Sequence, residues 1–306
     1  MGLLFSLWEI ILLQTVNGLI LGSFYALVAL GYSMVYGIIK LLNFAHGDIY
    51  MTGAFICFSV FGFMSSVIGG VPGVVLSIIA SMMFCAVLGF LVQRIAYKPL
   101  FDAPRLSLLI TAIGVSLVVS NTVMIRTNAQ PLFFISGFDN SAGFKFGEIT
   151  ITYVQTVLII ITVSLMIGLN FFIRRTMWGK AMRAISSDMD TARLMGINVN
   201  TVIGLTFMIG SSLAAVAGGM ACVYYGNVHF FMGYIIGMKA FTSAVIGGIG
   251  SIPGAMLGGL LLGLLEAAGT QSFGSAWKDV FAFAILIVML LFKPNGLLGR
   301  TEIERM

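Results

Sequence analysis

Five polar side chains stand inside stretches that are otherwise apolar: Asn43, His46 and Asp48 within "IIKLLNFAHGDIYMTGA" (38–54), and Lys239 and Glu266 further along. An ionisable group in hydrocarbon is costly unless it is paired or hydrated, so each is a candidate for lining a translocation path. Lys239 lies about five residues inside one apolar segment and Glu266 about six from the end of the next, which sets them at similar depth for pairing. A pair that only ties the bundle together and a pair that lines a path both fit. Asn43, His46 and Asp48 pose the same choice, because polar side chains at a helix break also satisfy freed backbone groups. His46 has no partner at ligand spacing, so no metal is expected. With His46 and His229 as the two histidines, a nucleophilic triad has few possible bases, and no serine elbow is evident. No phosphate-binding loop is present: Gly179-Lys180-Ala181 lacks both the earlier glycine and the hydroxyl that would hold magnesium. The chain is therefore expected to be no enzyme. A series of buried carboxylates suited to proton relay is missing as well.

The elements that must position these residues follow from composition. Hydrophobic residues make up 59% of the chain and charged residues 9%, too little polar side chain to coat a soluble particle of this size. Unbroken runs such as "YVQTVLIIITVSLMIGLNFFI" lack the alternation of a barrel strand, so the fold class is an all-α polytopic membrane protein. Breaks at glycine, proline and charge divide it into spans near 18–38, 48–66, 72–93, 106–125, 151–173, 201–224, 234–272 (a tightly joined pair) and 276–292, eight or nine helices in one transmembrane domain over 1–306. Segments 38–54 and 245–259 interrupt their spans as discontinuous transporter helices do. Gly18 with Gly22, Gly254 with Gly258 and Gly259 with Gly263 are spaced to put small residues on one helix face for close packing. Cys57, Cys85 and Cys222 lie within apolar runs as small packing residues.

Basic residues set the orientation. Arg94, Lys98 and Arg105 share one loop, Arg174, Arg175, Lys180, Arg183 and Arg193 another, and Lys293, Arg300 and Arg305 close the chain. Lys and Arg gather on the cytoplasmic side, which puts the C-terminus inside and the N-terminus outside. No removable signal peptide is read, and residues 1–17 are expected to lie along the outer interface.

The loop over 174–200 has the layout of a folded, water-facing element. Ser187 followed by Asp190 resembles a capping box, Gly196 sits where a helix would end, and Met182, Ile185, Met189 and Ala192 share one helical face. One bent helix or two short ones are expected. Either the stripe rests on the membrane or the element docks in another protein's groove.

The segment "GKAMRAISSDMDTARLMGIN" resembles the coupling segment of ABC importer permeases. Their loose pattern of Glu-Ala-Ala, three residues and Gly is echoed by Ala192 and Gly196, with Asp190-Thr191 departing from its first two positions. Together with "NGLILGSFYALVALGYSMVYGIIKLLNFAHGD", "QRIAYKPL", "GMKAFTSAVIGGIGSIPGAMLGG" and "KPNGLLGR", the chain closely resembles the LivH-type permeases of high-affinity branched-chain amino acid importers along nearly its whole length. Related permeases for urea or short amides share most of this pattern. A self-sufficient carrier or channel for a small neutral solute is the alternative of another class. The resemblance implies a bacterial inner-membrane subunit that pairs with a second, LivM-like permease, rests on two cytoplasmic ATPase subunits and receives cargo from a periplasmic amino-acid-binding protein. ATP and Mg would be bound by those partners, with no cofactor in this chain and no nucleic-acid partner. Gly179, Arg183, Ala184, Asp190, Ala192, Gly196 and Ile197 are the expected ATPase-docking residues, and Asn43, His46, Lys239 and Glu266 the expected path residues.

Overall fold

The computed structural model describes residues 2–101, 103–134, 142–146 and 149–299. Eight helices in it are long and apolar enough to cross a membrane, and the chain is a multi-pass membrane protein. In chain order the helices are α1 (Gly2–Ile39), α2 (His46–Met64), α3 (Gly70–Leu91), α4 (Arg105–Arg126), α5 (Tyr153–Arg175), α6 (Met177–Ser187), α7 (Met189–Leu194), α8 (Val199–Tyr225), α9 (Met232–Gly247), α10 (Ile252–Phe273) and α11 (Lys278–Phe292). The count of eight or nine resolves at α9. Its 16 residues span only about 24 Å, short of a hydrocarbon core of about 30 Å.

Residues 2–17 depart from the interfacial placement expected of them, since they continue α1 without a break. No glycine or proline interrupts 3–17, and Gln14 Nε2 donates to Gln271 Oε1 at 2.7 Å, tying the extension to the far end of α10.

Lipid offers helices little reason to associate beyond close packing, so small residues decide which pairs meet. The seam between α1 and α10 is antiparallel. A Cβ added at Gly18 would lie 2.8 Å from Leu264 Cα, one at Gly22 2.8 Å from Leu260 Cα, and one at Gly259 2.5 Å from Ala26 Cα. Gly254 and Gly258 draw α10 onto α9 in the same way, against Gly247 and Ser243. The run "AAVAGG" in α8 is buried beneath α2, with Gly53 on Ala215 and Gly218 on Tyr50. Cys57, Cys85 and Cys222 are free thiols buried in α2, α3 and α8. Large side chains such as Met83, Val118, Ile160 and Ile287 cover the outward faces of α3, α4, α5 and α11, as a lipid-facing surface requires.

Both expected interruptions are real breaks between helices. Residues 40–45 separate α1 from α2, and 248–251 separate α9 from α10. After α11 the chain returns to the second break, where the Leu297 and Leu298 amides donate to the carbonyls of Ile246 (2.8 Å) and Gly247 (2.9 Å), satisfying the open end of α9. Four short strands make up the β structure of the described residues. β1 (Leu132–Phe133) pairs antiparallel with β4 (Asn227–Val228), while β2 (Gly143–Phe146) and β3 (Ile149–Thr152) form a hairpin leading into α5.

Candidate functional site

The segment between α5 and α8 is built from caps. Thr176 ends α5 and begins α6: its amide and its hydroxyl both donate to Phe172 O, at 3.1 and 2.6 Å, while Oγ1 accepts from the Gly179 amide at 3.1 Å. Gly179 then presses against the backbone of Ile173, where a Cβ would overlap the chain, and the Arg183 guanidinium donates to Ile173 O. The joint between α5 and α6 is thereby a tight elbow. The second cap is Asp188 rather than Ser187, whose hydroxyl turns back to Arg183 O. Asp188 Oδ1 accepts from the Asp190 and Thr191 amides at 2.9 and 3.0 Å, and Oδ2 from the Thr191 hydroxyl at 2.7 Å. Hydrogen bonds from Thr191, backbone first and then side chain, with a further one from the Asp190 amide, hold the Asp188 carboxyl below the ordinary aspartate range. Ser187 lacked this role because the chain extends one residue later, at Asp188, where φ is −157°.

At the far end of α7 Gly196 adopts φ +82°. Its amide donates to Arg193 O and that of Ile197 to Ala192 O, the two bonds of a Schellman closure. Asn198 then caps α8 by accepting from the Thr201 amide at 3.2 Å. The result is two short helices with a fixed corner.

Of the expected docking residues, Gly179 and Ala192 are buried against the chain, Ala184 and Ile197 are half-buried, and Arg183, Asp190 and Gly196 are exposed; on the apolar stripe Met182 and Ile185 are buried and Met189 is half-buried. Sequence reasoning missed the most prominent feature, because Leu194 and Met195 lie off the apolar stripe. They are 88% and 78% exposed at the tip of α7, and the signal was there in two consecutive apolar residues just before the terminating glycine.

Asn43, His46 and Asp48 all lie buried where α2 begins. Asn43 Oδ1 accepts from the Ala45 amide at 3.2 Å and from the Tyr97 hydroxyl at 2.8 Å. Asp48 Oδ2 accepts from Ser116 Oγ at 2.5 Å, a polar tie between α2 and α4. The His46 ring meets Tyr32 edge-on at 5.0 Å and occupies the space that the missing side chain of Gly31 leaves open. Asn43 Nδ2 and His46 Nε2 are buried without a hydrogen-bond partner. Tyr97 and Ser116, which complete the cluster, carry no sequence signal that links them to the break.

Lys239 and Glu266 meet at 2.9 Å, both buried. The structure adds three groups. The Tyr25 hydroxyl donates to Glu266 Oε1 at 3.1 Å, Lys278 approaches the same oxygen at 3.2 Å, and Asp279 lies 2.6 Å from Lys239 Nζ. Two cations and two anions thus join α9, α10 and the start of α11, with α1 contributing the phenol.

A family described as the permease component of the branched-chain amino acid transport system matches residues 14–290. The high-affinity branched-chain amino acid transport system permease protein BraD of Pseudomonas aeruginosa is 45% identical over 299 residues, covering 95% of this chain and 97% of that protein. The permease protein LivH of the corresponding system of Escherichia coli K12 is 42% identical over 297 residues, covering 95% and 96%. A solved structure, PsaBC from Streptococcus pneumoniae in complex with Fab, aligns over 91% of each chain with a TM-score of 0.47 and 13% identity, a likeness too remote to place any residue.

Proposed function

Because the chain belongs to the permease-component family of branched-chain amino acid transport systems, we propose that it moves branched-chain or closely related amino acids from periplasm to cytoplasm, driven by ATP hydrolysis on partner subunits. The observation that carries this reading is the capped segment α6–α7. One face is seated on the membrane helices, and the opposite tip presents Leu194 and Met195 to water with nothing over them among the described residues. An apolar pair on a rigid corner is suited to a groove in another protein, as amphipathic helices are when they dock. Burying either side chain contributes about 1.5–3 kcal/mol.

The orientation follows from charge. The end of α3 near Arg94 lies beside the start of α8, with Phe90 Cδ2 3.2 Å from where a Cβ on Gly204 would stand. The end of α1 packs on the α9–α10 turn, which the Lys293–Gly299 tail also covers. Arg94, Lys98, Arg174, Arg175, Lys180, Arg183, Arg193 and Lys293 therefore collect at one end of the bundle, and the excess of Lys and Arg makes it the cytoplasmic end of a bacterial inner-membrane protein. The N-terminus is then periplasmic. Two cytoplasmic ATPase subunits that bind ATP and Mg would receive the α7 tip. A second, LivM-like permease would cover the exposed helix faces, and a periplasmic amino-acid-binding protein would deliver cargo.

Within this chain the elbow at Thr176 passes a push on α7 and α6 directly into α5. We assign the Lys239 cluster to holding α9, α10 and α11 in register, since its charges are matched. Buried Asn43 Nδ2 and His46 Nε2 lack partners, as Glu266 Oε2 does in the charged cluster; the helix break at 40–45 makes the Asn43–His46 cluster the better candidate for the path. Reconstitution in liposomes tests the whole reading. Leucine uptake should require the ATPase subunits, ATP and the binding protein, whereas flux through this chain alone would point to a self-sufficient carrier.

A further inference from the structure

A cavity of about 70 Å³ lies where α6 meets the ends of α1 and α10, lined among others by Ser33, Gly37, Met182, Arg183, Ser186 and Ile252. Among the described residues its lining contains no acidic side chain and one permanent cation. Arg183 gives one guanidinium nitrogen to Ile173 O, and a guanidinium carries five N–H donors in all. Ser33 supplies an independent sign of a ligand. Hydroxyls in these helices routinely return to the carbonyl one turn back, as Ser23 does to Leu19, Ser77 to Gly73 and Ser243 to Lys239. Ser33 does not: it is 1% exposed, borders the cavity, and its Oγ has no hydrogen-bond partner. The third feature is α10 itself, a 22-residue helix whose first residue, Ile252, forms part of the wall. A helix start carries a partial positive charge; Pro253 has no N–H and Ser251 Oγ takes the Gly254 amide at 3.2 Å, so α10 offers that charge rather than a row of open amides.

We propose that this cavity binds a small oxyanion, a carboxylate or an inorganic phosphate, held by Arg183, the Ser33 hydroxyl and the start of α10. Cation, hydroxyl and helix start all favour negative charge, and no described residue of the wall opposes it. One water needs roughly 10–15 Å³ of such volume, so the space admits a group of a few heavy atoms and excludes a nucleotide. An anion here bridges α6 to α1 and α10 and so stiffens the seat of the α6–α7 segment. The site is separate from the α7 tip and from both buried polar clusters, and its test requires no transport.

The test uses the full chain in maltoside micelles, which carry no phosphate. Calorimetry and thermal unfolding are followed against sodium phosphate, sodium acetate and L-leucine, with sodium chloride as the ionic-strength control. The expected result is saturable binding of about one oxyanion per chain, with an unfolding midpoint that rises with its concentration. Arg183→Gln should weaken binding about tenfold or more, the loss of a charge-assisted bond. Arg183 also braces the elbow, so Ser33 provides the second arm: Ser33→Ala should weaken binding a few-fold, and Ser33→Val, which fills the cavity, should abolish it. Binding by phosphate alone identifies phosphate as the occupant, and binding by acetate and leucine identifies the carboxylate. No saturable binding of any of the three, or binding that keeps full affinity in both Ser33→Val and Arg183→Gln, overturns the proposal.

Discussion

Replacing Leu194 and Met195 with alanine together should separate stability from function. Neither side chain is covered by the chain, at 88% and 78% exposed, so neither supports the fold. Surface substitutions of this kind change stability by about 0.5 kcal/mol or less. Alanine is also a strong helix former, and Gly196 remains to close α7. Docking is another matter. Each truncation removes about three apolar heavy atoms at about 0.8 kcal/mol per buried CH₂ equivalent, so full burial of the pair in a partner would be worth about 4–5 kcal/mol. Allowing for incomplete burial, the double variant should lose about 3 kcal/mol of association, roughly a hundredfold in Kd. The assay is titration of the purified ATPase subunit onto the permease in nanodiscs, run beside thermal unfolding of the permease alone. A hundredfold loss with an unchanged unfolding midpoint is the expected outcome. Unchanged affinity would show that the tip is not an anchor, and a lowered midpoint would show that it packs within the chain.

Three further perturbations probe the scaffold. Lys239→Met leaves buried Glu266 with Lys278 as its remaining cation, and should cost about 3 kcal/mol in denaturant unfolding, the low end for a broken buried pair. Adding Glu266→Gln should then cost less than the sum of the single changes by at least ~1 kcal/mol, whereas strict additivity would mean the pair does not interact. Gly263→Val drives a side chain into the backbone of Gly22 and should destabilise by about 1–3 kcal/mol, while Gly114→Ala, with open space around it, should be neutral or slightly stabilising. The Asp188 carboxyl titrates lower folded than unfolded, so its cap is fully stabilising above the ordinary aspartate value of about 3.9 and is lost as pH falls through the lowered value. Hydrogen exchange of the α7 amides, corrected for intrinsic rates, should therefore lose protection in that acidic window; equal loss near neutral pH would contradict it.

Much of the architecture was legible because lipid simplifies the code. Apolar length located the spans, glycine spacing located the α1–α10 and α9–α10 seams, and the Lys239–Glu266 pairing followed from depth alone. Periodicity also placed Met182, Ile185 and Ala192 on the inner face of α6 and α7. What escaped was set by tertiary geometry. Asp279, Lys278 and Tyr25 join the charged cluster from two further helices, and no sequence spacing predicts that meeting. The Thr176 turn that folds α6 back onto Ile173, against Gly179 and within reach of the Arg183 guanidinium, is likewise set by the fold rather than by spacing. Residues 2–17 were misplaced because an apolar helix lying on a membrane and one extending a span share the same composition.

The central claim is that the α7 tip faces the cytoplasm and is covered there by another protein. All three native cysteines are buried in membrane helices, so Leu194→Cys supplies a thiol that a membrane-impermeant maleimide can report without a wild-type background. In inverted membrane vesicles stripped of peripheral subunits the thiol should label readily, and adding back the ATPase subunits should protect it, while intact spheroplasts should leave it unlabelled. Labelling from the outside of spheroplasts, or labelling of inverted vesicles that the ATPase subunits do not reduce, would contradict the account.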